Sequence, residues 1–346
     1  MRSEEKATRL LPVWAVLTID ILCLGIALCV FALFHHVLPQ QMHPETAQAL
    51  MDDTPSPTAT PEQQDVVLVP TVTPEEEAPT PTPPATQWGE KFADRFSAQV
   101  TATDTSYQSS GISVTMHTME KDTKDGHVTY YVADIYLADI EYFRASFAKD
   151  TYGKGYREQL IDMATRNNAI AAMTGDYYGN HSSGIVIRNG EIYRTSNSKY
   201  DACVLYLDGT METYAGADFD AEAAIARGAW QAWVFGPALL DQNGQAATSF
   251  NTTSHIKSIN PRSALGYYEQ GHYCFVAVDG RAGRHSVGVT IGQLAEIMQE
   301  LGCTAAYNFD GGDSAALTFS QTLVNQPSGG GRALSDCLMI CEVDKE

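Results

Sequence analysis

Cysteine is scarce in this sequence and follows no metal-binding or disulfide pattern. The chain of 346 residues has seven cysteines, and no two of them form a Cys-x-x-Cys pair. Cys23 and Cys29 fall in an apolar N-terminal run, and the globular part holds Cys203, Cys274, Cys303, Cys337 and Cys341. An odd number without that motif indicates neither a zinc site nor a disulfide framework, so we expect buried free thiols. One disulfide stays open if the compartment is oxidising.

Positive charge is also scarce. Lysine and arginine number 22 against 42 aspartates and glutamates, which gives a formal net charge of −20. Nucleic-acid-binding proteins present basic faces to the phosphate backbone. The acidity therefore argues against nucleic acid as a partner. It also makes each arginine of the globular part informative, because its surroundings repel anions.

One long apolar run stands near the N-terminus, at residues 10–34. About 20 apolar residues in a helix cross a bilayer, so this run predicts a transmembrane anchor. Arg2, Lys6 and Arg9 precede it, and the positive-inside rule then predicts a cytoplasmic tail at residues 1–9. No small-residue cleavage site follows the run, which favours a retained anchor over a signal peptide. We expect a single-pass protein of the cell membrane with its C-terminal domain outside.

Residues 35–87 are predicted to be an extracytoplasmic linker. From Asp52 to Thr86 the sequence is rich in proline, threonine and glutamate. Such a segment buries no core and should be extended and disordered. The linker is predicted to hold residues 88–346 away from the membrane as one globular domain, which is long enough to bury its own core.

The globular part predicts a mixed domain, α/β in the sense of α+β. Asn189-Gly190 and Asp208-Gly209 each separate two short apolar segments, which is typical of β-hairpins. Near the C-terminus, Tyr273 to Val278 predicts a strand, Thr290 caps a predicted helix that stops at Gly302, and Ala305 to Phe309 predicts another strand. If the two strands of this strand–helix–strand unit are parallel, the residues that follow them emerge at one edge of the sheet.

Those residues carry the chemistry. Asp279-Gly280-Arg281 follows the first strand, and Asp310-Gly311-Gly312-Asp313-Ser314 follows the second. Arg262 stands in Asn-Pro-Arg just before another predicted strand, and Arg332 ends a run of three glycines. A guanidinium group matches the oxygens of a phosphate, so arginines in glycine- or proline-flanked turns of an acidic domain indicate an anion site.

The motifs resemble those of a known family. The series TGDYYG, GIVIRNGEI, NPRSALGY, VAVDGR, SVGVTIGQLAEIMQELG, NFDGGDSAAL and VNQPSGGGRALSD is similar, in order and spacing, to the phosphodiester glycosidase family, which includes the lysosomal uncovering enzyme. The resemblance runs from Asn167 to the C-terminus, with the core motifs at residues 167–343. It implies a hydrolase that cleaves the bond between a sugar and the phosphate of a phosphodiester.

The resemblance also implies roles for individual residues. Matching positions are Arg262, Asp279, Arg281, Asn308, Asp310, Gly311, Gly312 and Ser314. The sequence departs from the family at Asp176, where the family commonly has an Asn-Gly-Gly-like turn, and at Asp313, where it has a third glycine. We therefore expect Asp310, Asp279 and, less securely matched, Asp176 to be catalytic. The remaining matches, together with His285 and Arg332, are expected to bind the substrate and its phosphate.

The expected reaction needs little acid catalysis. A phosphate monoester has a second pKa of about 6, so it leaves without the protonation that an alcohol requires. Arg262, Arg281 and Arg332 are expected to hold the phosphate, while Asp310 or Asp279 acts as base or nucleophile. The predicted substrate is a sugar-1-phosphodiester in a cell-surface or exopolysaccharide glycan.

Two other functions remain open from the sequence. A non-catalytic module that binds glycans or teichoic acid would keep the arginines but need no poised carboxylate. A metal-dependent phosphodiesterase would cleave the P–O bond instead, and the histidines are too scattered to indicate one. No cofactor is expected to be required, although Asp279, Asp310 and Asp313 together offer oxygen ligands for Ca²⁺ or Mg²⁺.

Overall fold

A computed structural model of the protein describes residues 12–34, 38–42, 44 and 86–343. The predicted tail at 1–9 and most of the predicted linker lie outside these described residues. The helices are α1 Val13–Ala32, α2 Gln87–Lys91, α3 Leu160–Arg166, α4 Ala221–Ala226, α5 Ser254–Lys257 and α6 Ile291–Glu300.

The strands are short apart from one central hairpin. The first seven are β1 Gln40–Gln41, β2 Thr101–Ala102, β3 Ser106–Gln108, β4 Ile112–Thr123, β5 Gly126–Leu137, β6 Phe143–Phe147 and β7 Gly153–Lys154. The next six are β8 Ala171–Thr174, β9 Val186–Arg188, β10 Glu191–Arg194, β11 Ala202–Tyr206, β12 Met211–Tyr214 and β13 Ala229–Val234. The last six are β14 Arg262–Glu269, β15 His272–Val278, β16 Ala305–Phe309, β17 Leu317–Phe319, β18 Thr322–Leu323 and β19 Asp336–Ile340.

The largest sheet has the strand order β16-β14-β15-β5-β4-β3-β2. Strand β14 is antiparallel to both β15 and β16, so the latter two run in the same direction with β14 between them. Asp279 and Asp310 therefore leave the sheet at the same end, as the strand–helix–strand pattern predicted. The first residue of β14, Arg262, lies at that end as well, because its strand runs the opposite way.

Helix α6 connects β15 to β16 and covers one face of this sheet. The Thr290 side chain accepts a hydrogen bond from the backbone of Gln293, whose own side chain bonds back to Thr290, forming a capping box. Ile291, Leu294 and Ile297 are buried in a cluster with apolar residues of β5, β14 and β15. The predicted helix and its N-cap are confirmed.

Two five-stranded sheets have the strand orders β10-β9-β13-β11-β12 and β18-β17-β8-β19-β6, and β1 and β7 form a two-stranded sheet. The predicted hairpins at Asn189-Gly190 and Asp208-Gly209 are the turns of β9–β10 and β11–β12. The main core lies where the sheets meet, and Phe143 and Trp233 contact one another and further aromatic rings there. The mixed α+β domain predicted from sequence is confirmed.

The core also contains a buried ion cluster. The Arg188 side chain, on β9, is only 1% exposed and lies 2.7 Å from Asp336 on β19 and 3.1 Å from Asp176 in the loop after β8. Burial and the charge of Asp176 raise the pKa of Asp336, while Arg188 opposes that rise. The cluster therefore joins elements of the two smaller sheets around one cation.

The N-terminal helix is apolar and unburied over Trp14–Ala32. Its length and composition suit a membrane anchor, and a signal sequence has the same properties. Residues 38–42, at the start of the predicted linker, contact the globular domain, because β1 pairs antiparallel with β7 and the Met42 amide donates to the Tyr152 carbonyl at 2.9 Å. Gly153 permits this approach, since a side chain there would collide with the Gln40 carbonyl. Residues 40–42 are therefore docked on the domain.

The ion cluster predicts a large loss of stability in Arg188→Met. Removing the guanidinium leaves two buried carboxylates without a counter-charge, and we expect the free energy of unfolding to fall by about 3–5 kcal/mol. Denaturant unfolding of the purified full chain in detergent measures this. Arg227→Met is the matched control, because its pair with Glu212 is solvent-exposed and contributes about 1 kcal/mol or less. Equal losses in the two variants would contradict the prediction.

Candidate active site

A polar cleft of about 290 Å³ opens at the end of the large sheet where β14 begins and β16 ends. Its lining combines three arginines and two aspartates with a few neutral side chains. These are Phe235, His255, Ile256, Asn260, Arg262, Arg281, Phe309, Asp310, Gly311, Gly312, Asp313 and Arg332. The structure thus brings together the three arginines that the sequence assigned to phosphate binding.

Arg262 is the most deeply buried cation of the cleft, with 3% of its surface exposed. Its Nε donates to the Val289 carbonyl at 3.1 Å, and its Nη2 donates to the carbonyls of Ile256, at 2.6 Å, and Ser258. Within residues 86–343 no carboxylate lies within 4.0 Å of it. Burial, with a smaller contribution from the charge of Arg281, lowers the pKa of Arg262 to about 10. A buried guanidinium held by neutral carbonyls leaves its charge for an anionic ligand.

Arg281 also lines the cleft and is held by two partners. Its Nη1 donates to Asp313 at 2.8 Å and its Nη2 donates to the side-chain oxygen of Asn260 at 2.7 Å. Gly312 lies under this guanidinium with a φ of +63°, and a Cβ there would stand 3.3 Å from Nη2. Glycine is therefore suited to this position both by its backbone conformation and by the close approach of Arg281.

Asp310 follows β16 and points into the cleft. Its Oδ1 accepts from the Gly311 amide at 3.0 Å, and its Oδ2 accepts from Nη2 of Arg332 at 2.9 Å. The carboxylate is 13% exposed. Burial raises the pKa of Asp310, while Ser314 and Arg332 partly offset the rise. A partly desolvated carboxylate with a raised pKa is a stronger base than an ordinary aspartate.

The Asp-Gly-Gly turn is pressed against the start of β14. The Gly312 amide donates to the Pro261 carbonyl at 2.9 Å, and a Cβ on Gly311 would lie 2.7 Å from that same oxygen. The two glycines thus let the turn reach Arg262 from the neighbouring strand. Their predicted place at the site rests on this backbone geometry, and their binding role stays a prediction.

Asp279 is not part of the cleft lining. It is 1% exposed and accepts hydrogen bonds from the Asn325 side chain at 3.0 Å, the Gln326 amide at 3.0 Å and Nε2 of His285 at 2.8 Å. These partners occupy both carboxylate oxygens. Asp279 therefore anchors the loop that leads to Arg332, and the structure brings neither Asp279 nor His285 into the cleft.

Three other predicted residues lie behind the cleft wall. Asp176 is buried in the ion cluster with Arg188. Asn308 is fully buried and donates to the Gly236 carbonyl at 2.8 Å, and Ser314 is buried but accepts from Nε of Arg332 at 2.9 Å. Ser314 contacts Arg332 of the cleft lining, whereas Asp176 and Asn308 do not line the cleft, and the predicted roles of all three stay predictions.

Sequence reasoning missed several lining residues. Phe235 follows β13, and His255 and Ile256 belong to the short helix α5, and no motif connects these residues to the site. Asn260 had a signal, because it stands two residues before Arg262 in Asn-Pro-Arg, and its side chain turns out to hold Arg281. Tertiary contacts bring these residues to the cleft, and a single sequence does not show such contacts.

The carboxylates considered as metal ligands are held apart by different partners. Asp279 binds the loop at residues 325–326, Asp310 binds Arg332, and Asp313 binds Arg281. Among the described residues, no group of three or more His, Cys, Asp and Glu side chains is placed to hold a metal ion. A requirement for Ca²⁺ or Mg²⁺ stays an open expectation.

Comparison with known proteins points in one direction. The sequence model of a family described as phosphodiester glycosidase matches residues 167–341, half of the chain. Over 202 residues the chain is 28% identical to the SPbeta prophage-derived uncharacterized protein YomE of Bacillus subtilis (strain 168), covering 56% of this chain and 31% of that protein. The chain thus spans about a third of the length of this curated relative.

Two solved structures share the fold. The catalytic domain of zebrafish N-acetylglucosamine-1-phosphodiester alpha-N-acetylglucosaminidase, auto-inhibited by its pro-peptide, superimposes with a TM-score of 0.56 at 17% identity, covering 75% of this chain and 95% of that chain. A hypothetical protein from Synechocystis gives a TM-score of 0.52 at 15% identity, covering 70% and 64%. At 17% and 15% identity, the similarity to these two structures shows the fold alone.

The uncompensated charge of Arg262 predicts that a small anion stabilises the protein. Inorganic phosphate at ten times its dissociation constant should stabilise the wild type by about 1.4 kcal/mol. We expect Arg262→Gln to lose this effect, measured as the phosphate-dependent shift of the melting temperature. Arg284→Gln, an exposed arginine of the neighbouring loop that does not line the cleft, should respond like the wild type. A full phosphate response in Arg262→Gln would show that the anion binds elsewhere.

Proposed function

The chain belongs to the phosphodiester glycosidase family, and on this premise we propose that it hydrolyses the bond between the anomeric carbon and the phosphate oxygen of a sugar-1-phosphodiester. One observation carries the proposal: a partly buried carboxylate, Asp310, shares a cleft with a buried arginine, Arg262, that lacks a carboxylate partner among the described residues. The first group supplies a base or nucleophile, and the second supplies charge for a phosphate.

The arginines stabilise the departing phosphate. As the C–O bond breaks, its electron pair moves to the phosphate oxygen and negative charge develops there. Arg262, Arg281 and Arg332 line the cleft around that position. Fixed cations in a partly desolvated cleft stabilise charge that develops in the transition state more than water does. Because phosphate is already a good leaving group, this stabilisation is the main requirement of the reaction.

Asp310 acts on the carbon side of the bond. In one course it takes a proton from a water molecule as the water oxygen bonds to the anomeric carbon. In the other its carboxylate oxygen attacks that carbon, and water then hydrolyses the glycosyl-enzyme ester. The hydrogen bond from Arg332 fixes the carboxylate orientation in either course. The Asp310 side chain is 13% exposed against 48% for Asp313, and burial raises the pKa of Asp310, which favours Asp310 over Asp313 for this role.

The proposed setting is the outer side of a cell membrane. Helix α1 is long and apolar enough to anchor the chain, and residues 40–42 dock on the globular domain. We infer that the substrate is a phosphodiester-linked sugar in a cell-surface or exopolysaccharide glycan. The family supports the phosphodiester-linked sugar, and the apolar helix supports the location.

The reaction is tested with the full chain purified in detergent, incubated with sugar-1-phosphodiesters in ¹⁸O-water. We expect label in the released sugar, because water attacks carbon, and we expect Asp310→Asn to slow turnover by about 100- to 10,000-fold. Products are read by mass spectrometry, with and without a chelator. Asp313→Asn serves as the isosteric comparison within the same turn.

Other outcomes separate the alternatives. Label in the phosphate would mean attack at phosphorus and a phosphodiesterase. Tight binding of a glycan without turnover, in the wild type as in Asp310→Asn, would support the non-catalytic module. If the wild type turns over without chelator but not with it, the metal requirement that the sequence left open is established.

The pKa of Asp310 predicts a shift in the pH–rate profile of Arg332→Gln. Asp310 must be ionised to act, so the rate falls as pH drops through its pKa, which burial already raises above the ordinary aspartate value. Arg332 holds that pKa down, and its loss should raise the pKa further and move the acid limb to higher pH. Arg332→Lys keeps the charge and should move the limb less. If the acid limb stays fixed or moves to lower pH, the ionisation that limits the rate is not that of Asp310.

A further inference from the structure

The charged side chains that line the cleft leave one positive charge unbalanced. Three are arginines and two are aspartates, and the aspartates are already paired. Arg281 binds Asp313 at 2.8 Å and Arg332 binds Asp310 at 2.9 Å. Arg262 has no such partner within residues 86–343. The three arginines and two aspartates that line the cleft therefore sum to a formal charge of +1.

The two sides of the proposed reaction differ by nearly one charge. A phosphodiester carries a single negative charge, whereas the monoester that hydrolysis releases carries about −1.5 to −2 at neutral pH. A cleft with one excess cation is neutralised by a diester. The same cleft holding a dianionic monoester carries excess negative charge beside Asp310 and Asp313, inside a chain whose formal charge is −20.

We propose that Asp313 sets the charge of the cleft to match a monoanionic phosphodiester, so that the site binds diesters in preference to monoesters and releases its phosphorylated product. The identity of that product rests on the proposed function, but the charge preference does not require turnover. Asp313 is a specificity-determining residue in this account, because it acts on the ligand through the charge of Arg281.

The contacts of Asp313 suit it to this role. Its hydrogen bond within the described residues is the one to Arg281, and about half of its side chain is exposed, at 48%. Arg281 keeps its second anchor, the Asn260 side chain at 2.7 Å, when Asp313 is changed. Substituting Asp313 by asparagine therefore removes a negative charge while leaving the positions of Arg281 and the turn supported.

The test measures binding of two small probes to the full-length protein in detergent. Methyl phosphate is a dianion at pH 8 and dimethyl phosphate is a monoanion, and a ³¹P NMR titration gives both dissociation constants. The wild type should bind dimethyl phosphate at least as tightly as methyl phosphate. In Asp313→Asn we expect the preference to move toward methyl phosphate by about 5-fold at low salt, the effect of one partly exposed charge.

Three controls make the result specific. Asp313→Glu restores the charge and should restore the wild-type preference. Asp104→Asn removes an exposed charge that does not line the cleft and should change nothing. Raising the ionic strength should shrink the shift, because the pair is exposed. A ratio of dissociation constants that is the same in the wild type and in Asp313→Asn, with both proteins folded by melting temperature, would overturn the proposal.

The two proposals fail separately. If the ratio shifts but no phosphodiester is hydrolysed, the charge preference stands and the proposed function does not. If diesters are hydrolysed and the ratio does not shift, the function stands and Asp313 does not set the preference. Product inhibition of turnover by the phosphate monoester, strengthened in Asp313→Asn, would support both.

Discussion

The position of the cleft depends on one buried cation. Arg188 lies between Asp176 and Asp336 with almost no exposure to solvent. The Gly175 amide donates to the Asp336 carbonyl at 3.2 Å, and the Gly175 carbonyl accepts from the Asp310 amide, also at 3.2 Å. The ion cluster thus fixes the segment around Gly175, to which the backbone amide of Asp310 is hydrogen-bonded. Buried ion pairs add little net stability over an apolar core, but their strict requirement for partners restricts the number of arrangements that the surrounding strands can adopt. We attribute the defined position of the Asp310 carboxylate, which lies in a short turn at the edge of the sheet, to this restriction.

Arg188 and Arg262 show two ways in which one fold treats a buried guanidinium. Around Arg188 the protein supplies two carboxylates, and the charge is satisfied without a ligand. Around Arg262 it supplies only neutral carbonyls, and burial lowers the pKa of the guanidinium to about 10. Carbonyls orient the group but cannot neutralise it. The unbalanced charge makes the anion-free protein less stable than it would be with an apolar residue, a cost typical of functional sites. That contrast, rather than the presence of arginines as such, marks the cleft as a site for an anion.

Much of this arrangement can be predicted from the sequence. The remainder depends on tertiary contacts, which local sequence patterns do not show. The Asn-Gly and Asp-Gly hairpins, helix α6 and the common direction of β15 and β16 follow from local patterns of turns, caps and apolar spacing. The pattern of an aspartate and glycine after a strand placed Asp279 and Asp310 at the same edge. It did not distinguish their surroundings, because Asp279 accepts hydrogen bonds from Asn325 and Gln326, in a loop some 46 residues further along the chain, and from His285 nearby, while Asp310 lines the cleft. Which neighbour occupies a carboxylate is a tertiary property. For the same reason the docking of residues 38–42 on β7 had no local signal, since the strand that receives them lies more than a hundred residues further on.

The acidity of the chain bears on how such a cleft recognises its ligand. A formal charge of −20 opposes the long-range attraction of the proposed phosphodiester substrate to the protein. Recognition then depends on short-range contacts inside the cleft. Arg281 and Arg332 are 41% and 47% exposed, and their attraction for an anion is screened by salt. Arg262 is desolvated and its charge is screened far less, because little solvent surrounds it. An anion that reaches Arg262 exchanges its hydration for a fixed guanidinium in a partly closed cleft, where each hydrogen bond is stronger than at the surface. On the proposed function, the affinity of the site therefore rests mainly on the one arginine of the cleft that has no carboxylate partner within residues 86–343, and the exposed pairs around it select the charge of the ligand that the cleft binds.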